Sequence, residues 1–377
     1  MLPSTPRPSV HLDPWVPAGP IAPADVHLTP MGLLSGPQAA DGVPLAGTAL
    51  AYTQVEVAVR RPDVIARKVM DPYDLGAWAA VVGVAEALNE RLTALSTPRP
   101  PFAGLDLARP LVMGIVNVTP DSFSDGGEFA GTDAAIAHGR ALLAAGADIL
   151  DIGGESTRPG AAPVSPAEEA ARVVPVIRAL AGDGAVISID TRHALVMAAA
   201  LDAGAAIVND ITALEGDPDS LALVAARGCP VVLMHMRGDD PRTMQDAPSY
   251  ADAALDVMDY LLARVAACVA GGIPRDRIAV DPGIGFGKTV EHNLDILRHA
   301  ALYHGTGCAL LVGLSRKRFI AALSRGEAPK DRLAGSLAAG LACFDRGTHI
   351  LRVHDVAETV QARALWLGLH GRQAPHI

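Results

Sequence analysis

Eight short apolar runs, each followed by a stretch of helical periodicity, fill residues 111–354 and constrain the fold more than any other feature of the chain. They are LVMGIVNV (111–118), DILDIG (148–153), AVISID (185–190), IVN (207–209), PVVLMHM (230–236), IAVD (278–281), CALLVGLS (308–315) and ILRVH (350–354). Runs this apolar and this short read as strands buried on both faces, the pattern of a parallel sheet covered by helices. The intervening stretches carry helix signals. Ser165, Pro166 and Glu168 supply an N-cap, a first-turn proline and a capping-box acid. Ala254, Met258, Leu261, Val265 and Val269 trace one face of a helix that ends at Gly271-Gly272, with Pro274 beyond. Eight such units fit in the roughly 250 residues of a (β/α)8 barrel. A doubly wound sheet is the alternative, weakened because no run leads into a Gly-rich dinucleotide turn.

The first 100 residues follow a different pattern. Ten prolines among the first 44 predict an irregular start. Val55, Val57 and Val59 then alternate with polar or small residues, as in a strand. Asp71-Pro72 opens a stretch with Leu75, Trp78, Ala79, Val82, Ala85 and Leu88 on one helical face. The sequence therefore divides into a Pro-rich start with a small α/β appendage (1–100) and a barrel (105–375). No chemistry is evident in the appendage, which reads as a packing or oligomerisation element.

Composition excludes several functions. A net charge of −10 without a basic tract argues against a nucleic-acid groove. No uncharged apolar run approaches the ~18 residues of a membrane span, and the N-terminus has no apolar core of the signal-peptide kind. Four cysteines, at 229, 268, 308 and 343, stand far apart and read as buried thiols of a reducing cytoplasm.

Polarity changes abruptly at the carboxyl end of every run. The ends carry Asn117, Thr119 and Asp121; Asp151, Glu155, Thr157 and Arg158; Asp190 and Thr191; Asn209 and Asp210; His235, Met236 and Arg237; Asp281, Phe286 and Lys288; Ser315, Arg316, Lys317 and Arg318; and Arg352, His354 and Asp355. In a barrel these ends open on one face, where sites of this fold lie. Asp190, Asn209 and Asp281 suit a flat heterocycle with several N–H donors, because carboxylates accept and an amide does both. Arg158, Lys317, Arg352 and His354, with Asn117, suit a phosphate or diphosphate. About half of the basic residues here, Arg316 and Arg318 among them, read as solvated or ion-paired, and a lone histidine at a strand end, His235 or His354, reads more readily as a hydrogen-bonded structural residue than as a metal ligand. No HExxH or His/Cys cluster is present. A hard cation held mainly by substrate phosphates and one oxygen such as that of Asn117 is the remaining metal reading. No nucleophile has a base beside it, which points to catalysis by positioning and charge stabilisation.

VNVTPDSFSDGG (116–127), GGESTRPGA (153–161), SIDT (188–191), VND (208–210), MHMRG (234–238), DPGIGFGKT (281–289), GLSRK (313–317) and RVHDV (352–356) resemble, in order, the signature blocks of the dihydropteroate synthase family. The resemblance spans about residues 110–370. It implies a TIM barrel, a cytoplasmic homodimer and a Mg²⁺-dependent transfer in folate synthesis. That reaction joins 4-aminobenzoate to (7,8-dihydropterin-6-yl)methyl diphosphate. The implied pterin pocket is Asp190, Asn209, Asp281 and Lys317, with Met236 in the wall. The implied diphosphate pocket is Asn117, Arg352 and His354, with Arg158 nearby, and Asn117 is the implied Mg²⁺ contact. The aminobenzoate side falls on Thr157, Pro159, Phe286 and Ser315. Asp190, Lys317, Arg352 and His354 are the residues implied to carry catalysis. The segments DSFSDGG and STRPGA read as covers over the site. Two rivals share the barrel: a pterin-binding methyltransferase domain, and a non-catalytic paralogue of the synthase. The family's usual single barrel lacks the N-terminal 100 residues, and those residues contain no kinase-type phosphate loop.

Overall fold

The computed structural model describes residues 15, 17, 19–119, 127–155, 164–238, 244 and 247–371; for 127–130 it gives only the backbone. Elements follow the chain as β1 (Val26–Ser35), β2 (Val43–Pro44), β3 (Leu50–Arg60), β4 (Ile65–Met70), α1 (Pro72–Val82) and α2 (Ala85–Ser96). The repeating part then runs β5 (Leu111–Asn117), α3 (Gly127–Ala144), β6 (Ile149–Gly153), α4 (Pro166–Gly182), β7 (Ile187–Asp190), α5 (Ala194–Ala203), β8 (Ile207–Asp210), α6 (Ser220–Arg227) and β9 (Val231–Met234). It closes with α7 (Ala253–Ala270), β10 (Ile278–Asp281), α8 (Val290–Arg298), β11 (Ala309–Gly313), α9 (Arg318–Ala322), α10 (Leu333–Phe344), β12 (Ile350–Val353) and α11 (Val356–Leu369).

Strands β5 to β12 pair in sequence order, all parallel, and β12 returns to β5 to close an eight-stranded barrel. The (β/α)8 architecture expected from the repeat is the one found. Seven of the eight runs contain their strand, and β8 extends one residue past its run to Asp210; the fifth, seventh and eighth strands stop at Met234, Gly313 and Val353, so His235, Met236, Ser315 and His354 lie just beyond them. Helix α4 begins as expected: Ser165 Oγ accepts from the Glu168 N–H at 3.2 Å. The Glu168 carboxylate, however, pairs with Arg172 one turn on, at 2.5 Å, rather than completing a capping box. Helix α7 ends where the glycine pair predicts: Ala270 is its last residue and Gly271 its cap.

Side chains alternate along each barrel strand, and the interior set is apolar at the amino ends. Leu111, Met113, Ile149, Ile207, Val232, Ala279, Ala309, Leu311 and Ile350 form one buried cluster, closed by Phe102 and Leu107. Two residues further along, the same inward direction is taken by Asp151 after Ile149, Asn209 after Ile207, Asp281 after Ala279 and Arg352 after Ile350. The two-residue period thus converts a polar residue at a strand's end into an inward-facing group above an apolar floor.

The N-terminal part departs from expectation. Residues 26–35 are not irregular but form a ten-residue strand, paired antiparallel with β3 from Val26↔Val59 to Ser35↔Leu50. Pro30 is accommodated because β1 is an edge strand, where a missing N–H disrupts no second ladder. The helical stretch from Leu75 to Leu88 divides in two. Gly83, at φ +78°, ends α1 in the left-handed conformation, and α2 starts at Ala85. The small sheet and both helices share one hydrophobic cluster with the outer face of the barrel. Arg60 pairs with Asp256 and with Asp259 (2.8 Å), and Arg67 with Asp252 and with Glu56 (2.7 Å), so charges of β3 and β4 meet the acids along α7. Arg99 donates to the carbonyls of Cys308 (3.0 Å) and His304 (2.8 Å). All four cysteines are buried free thiols. Among the described residues no helix is long and apolar enough to cross a membrane.

Candidate active site

Strand register sets the upper layer of the barrel interior. Asn117 lies beside Gly153, Gly153 beside Asp190, and Asp190 beside Asn209. Gly153 and Gly313 leave room in this row: a Cβ on either would come within 3.4 to 3.7 Å of Asp190 or Arg352 atoms. The guanidinium of Arg352 spans two acids. Its Nε donates to Asp151 Oδ2 at 2.5 Å and its Nη2 to Asp190 Oδ2 at 2.6 Å. Asn209 Nδ2 donates to the same Asp151 oxygen at 3.1 Å. Asp151 Oδ1 and Ser188 Oγ are buried polar atoms without a hydrogen-bond partner, beneath the layer formed by Asp190 and Asn209.

Asp281 is 5% exposed and one of its oxygens accepts from the Gly283 N–H at 2.7 Å. Lys317 reaches back over the following loop and donates to the Ile284 carbonyl. Its ammonium lies 4.6 Å from the centre of the Phe286 ring, a cation–π distance. Phe286 packs against Ile211, Met234, Met236 and Met244, an apolar wall beside the charges. His354 and Ser315 meet just past the neighbouring strands β12 and β11: Ser315 Oγ lies 3.2 Å from His354 Nδ1 and accepts from the His354 backbone N–H at 3.2 Å, so, contrary to the expectation from sequence, one hydroxyl does have an imidazole beside it, brought there by strand pairing across 39 residues.

Burial dominates the titration of these groups. It raises Asp190 above the ordinary carboxylate range, with Arg352 pulling the other way and Asp151, Glu169 and Asp210 adding repulsion. Burial likewise raises Asp281, against the pull of Lys317. It lowers Lys317 to about 8, where Asp281 opposes and Arg352 assists. Arg352 is held above its ordinary value, because Asp151 and Asp190 outweigh its own desolvation. The 2.6 Å contact with the guanidinium favours the ionised form of Asp190 against its burial.

The structure therefore brings together Asp190, Asn209, Asp281, Lys317, Arg352, Ser315, His354, Met236, Phe286 and Asn117 at the carboxyl ends of the barrel strands. Thr157, Arg158 and Pro159 lie outside the described residues, as do most of DSFSDGG and all of STRPGA. Two residues matter that the sequence reading left unassigned. Asp151 is fully buried at the centre of the cluster; its position two residues after an interior isoleucine was the available signal. Lys288 is 4% exposed and donates to His235 Nδ1 at 2.8 Å, which makes His235 the structural histidine expected of it. Arg316 pairs with Asp355 at 2.9 Å, as an ion-paired basic residue should.

For a hard cation, Asn117 offers one neutral amide oxygen at the rim, half-buried at the end of β5. That fits Mg²⁺ held by a single protein oxygen together with waters and substrate phosphates. A second group, Glu155, Glu169 and His193, has ligand atoms within 4.8 Å of one another. There, however, Arg192 neutralises Glu155 (3.2 Å) and His193 hydrogen-bonds Glu169 (2.8 Å).

Residues 113–354 match the family model described as pterin binding enzyme. A dihydropteroate synthase of Escherichia coli (strain K12) is 48% identical over 259 residues, 68% of this chain and 91% of that protein. One from Neisseria meningitidis serogroup C is 50% identical over 271 residues, 71% of this chain and 94% of that protein. Among solved structures, the Xanthomonas albilineans dihydropteroate synthase with 4-aminobenzoic acid superimposes with a TM-score of 0.68 at 49% identity, covering 72% of this chain and 98% of that one. The same enzyme in complex with 7,8-dihydropteroate gives 0.65 at 46% identity, with the same coverage. With a family model across most of the barrel, close relatives matched over nearly their whole length, and the acid, amide and basic groups gathered on one rim, this chain belongs to the dihydropteroate synthase family of pterin-binding enzymes.

Proposed function

We propose that the chain joins 4-aminobenzoate to (7,8-dihydropterin-6-yl)methyl diphosphate, releasing diphosphate and giving 7,8-dihydropteroate. The observation that carries this reading is the position of Arg352. One guanidinium joins Asp151 and Asp190 on the acid side of the pocket, next to Asn209, and belongs to β12, the strand that His354 directly follows. Acceptors for a donor-rich ring and cations for its leaving anion are therefore neighbours.

In this reading Asp190, Asn209 and Asp281 accept from and donate to the pterin edge. Met236 lines the ring's apolar side. Lys317 donates to the ring while its charge balances Asp281. Arg352, His354 and Arg158 receive the diphosphate. Mg²⁺ at Asn117, when bound, neutralises charge on the diphosphate oxygens. The C–O bond to diphosphate breaks first, in an SN1-like displacement. The cation left on the exocyclic carbon is delocalised into the electron-rich ring and offset by Asp190 and Asp281. Thr157, Pro159, Phe286 and Ser315 orient the aromatic amine, whose lone pair closes the new C–N bond, and the nitrogen then loses one proton to water or to the departed diphosphate. An arylamine is unprotonated near neutral pH, so no strong general base is required. Asp190, Lys317, Arg352 and His354 carry the catalysis.

We place this chemistry in residues 105–375, with 1–100 as a separate Pro-rich start and appendage. A cytoplasmic setting agrees with the four unpaired buried thiols. A homodimer is part of the same reading, and sedimentation measures it. The deciding experiment is diphosphate release from dihydropterin diphosphate with and without 4-aminobenzoate. Release that depends on the amine and yields dihydropteroate is expected. No amine-dependent release would overturn the reading and leave the non-catalytic paralogue, while methyl transfer would favour the other rival.

A further inference from the structure

Lys288 lies in the loop between β10 and α8, buried away from solvent, yet it is not in the acid cluster of the pocket. Its ammonium has three N–H groups and three acceptors. It donates to His235 Nδ1 at 2.8 Å, to the His235 carbonyl at 3.3 Å and to the Phe286 carbonyl at 2.9 Å. Burial pulls the Lys288 amine well below its ordinary value, with Asp281 opposing that pull, and three acceptors at hydrogen-bond distance are what favour the ammonium here. His235 follows β9, whereas Phe286 follows β10, so one side chain fastens two rim loops together. The imidazole is edge-on to Tyr260, with ring centres 4.9 Å apart. Burial, with Lys288 next in effect, holds it neutral down to about pH 2. With Lys288 as the donor across 2.8 Å, Nδ1 is the acceptor and the ring proton sits on Nε2.

The loop has no slack against its neighbour. Gly283 has φ +68°, and a Cβ there would lie 1.9 Å from the His235 carbonyl oxygen. Gly287 has φ +63°, and its Cβ would lie 2.4 Å from that of Arg237. Tyr250 Oη donates to the Gly287 carbonyl at 2.8 Å. The residue between these points is Phe286, whose ring meets the Lys317 ammonium.

We propose that Lys288 is a positioning residue for the aromatic amine: by holding the Phe286 carbonyl to His235, it fixes the Phe286 ring against Lys317 and sets the wall along which the amine enters. This rests on the reading of Phe286 as part of the aminobenzoate side. Lys288 hydrogen-bonds to His235 and Phe286 and acts on Asp281 only through space, behind Lys317 and Arg352 in effect, so its loss is expected to alter amine placement more than pterin binding.

The test uses the full chain with Lys288→Met, which keeps the length and removes all three donors. The expected result is a rise of about tenfold or more in KM for 4-aminobenzoate, with dihydropterin diphosphate affinity and kcat within about twofold. Lys288→Arg, which retains a cation and several donors, recovers most of the loss. An unchanged amine KM in folded Lys288→Met, or an equal loss for both substrates, overturns the proposal. If Lys288→Met does not fold, nitrogen-15 spectra of histidine in the wild type decide instead. A neutral His235 protonated on Nε2 and unaltered on mild acidification is expected, and a proton on Nδ1 overturns the clamp. A wild type without amine-dependent diphosphate release defeats the parent reading, a result distinct from either of these.

Discussion

Arg352 on β12 reaches Asp190 on β7 past two intervening strands, with Nη2 2.6 Å from Oδ2. These residues stand 162 positions apart in the chain. Their contact joins the groups assigned to opposite ends of one substrate, the ring and its leaving anion. A guanidinium in this place neutralises acids that would otherwise repel, and it remains close enough to the diphosphate side to serve there.

Removing the Asp190 charge tests the ring side. Asp190→Asn keeps the shape but presents an amide where a carboxylate accepted, and it leaves Arg352 with one anionic partner. The expected outcome is an increase of about 10–100-fold in the dissociation constant for a pterin, from about 1.5–3 kcal/mol of charged hydrogen bonding, together with slower diphosphate release. Isothermal titration and the release assay measure these, and circular dichroism checks the fold. Equal turnover in the variant and the wild type would refute the role.

The Arg352 fork predicts two separable losses. Arg352→Met strips the pair from Asp151, which is fully buried, and should cost about 3 kcal/mol of stability. It should also lower kcat by about a hundredfold or more through lost stabilisation of the leaving anion. Arg352→Lys restores the charge but not the two-pronged geometry, so it recovers part of the stability and little of kcat. Urea unfolding and steady-state kinetics read the two effects independently.

Lys317 gives the activity an alkaline limb. Burial brings its ammonium down to about 8, with Asp281 holding it up in part. Only the protonated form carries the charge that balances Asp281 and strengthens donation to the ring. The pH profile of kcat/KM for the pterin substrate should therefore fall above about pH 8. Lys317→Arg, which does not deprotonate in this range, should lose that limb at reduced activity. A wild-type profile flat up to about pH 10, where an ordinary lysine titrates, would contradict the assignment.

His27 makes the junction between appendage and barrel sensitive to acid. Its Nε2 stands 3.3 Å from Asp259 on α7. Burial, with Arg91, Arg60 and Arg67 assisting, still holds its pKa at about 4 rather than 6.5. Between these values the unfolded chain binds a proton that the folded chain does not, so stability falls as pH drops through the window. The full effect is about 3 kcal/mol at the acidic end. His349, held down to about 3 by burial and Arg99, acts in the same direction. Melting temperatures from about pH 7 to about pH 4 should decline, and His27→Asn should decline less steeply.

The eight runs announced themselves because a barrel strand is apolar on both faces, a local pattern independent of what packs around it. The polar ends of those runs were equally visible. For that reason Asp190, Asn209, Asp281, Lys317, Arg352 and His354 could be named before any coordinates. Asp151 and Lys288 were in view as letters but not as parts of a site. Their significance depends on partners 58 to 201 residues away for Asp151 and 53 away for Lys288. The prolines of the first 44 residues misled in the opposite direction. Pro30 predicts irregular chain when read locally, but at a sheet edge its missing donor costs little.

By itself, then, the amino-acid order determined the repeating strand–helix unit and the rim on which charged groups would gather. Both are written in periodicities of a few residues, where backbone geometry alone decides which way a side chain points. Barrel closure decided which of those groups meet, since β12 lies beside β5 only after eight strands have tilted and joined. That long-range fit placed one arginine between two acids and one buried lysine between two loops. Such pairings are held by desolvation and geometry at a distance, which no short window of sequence records.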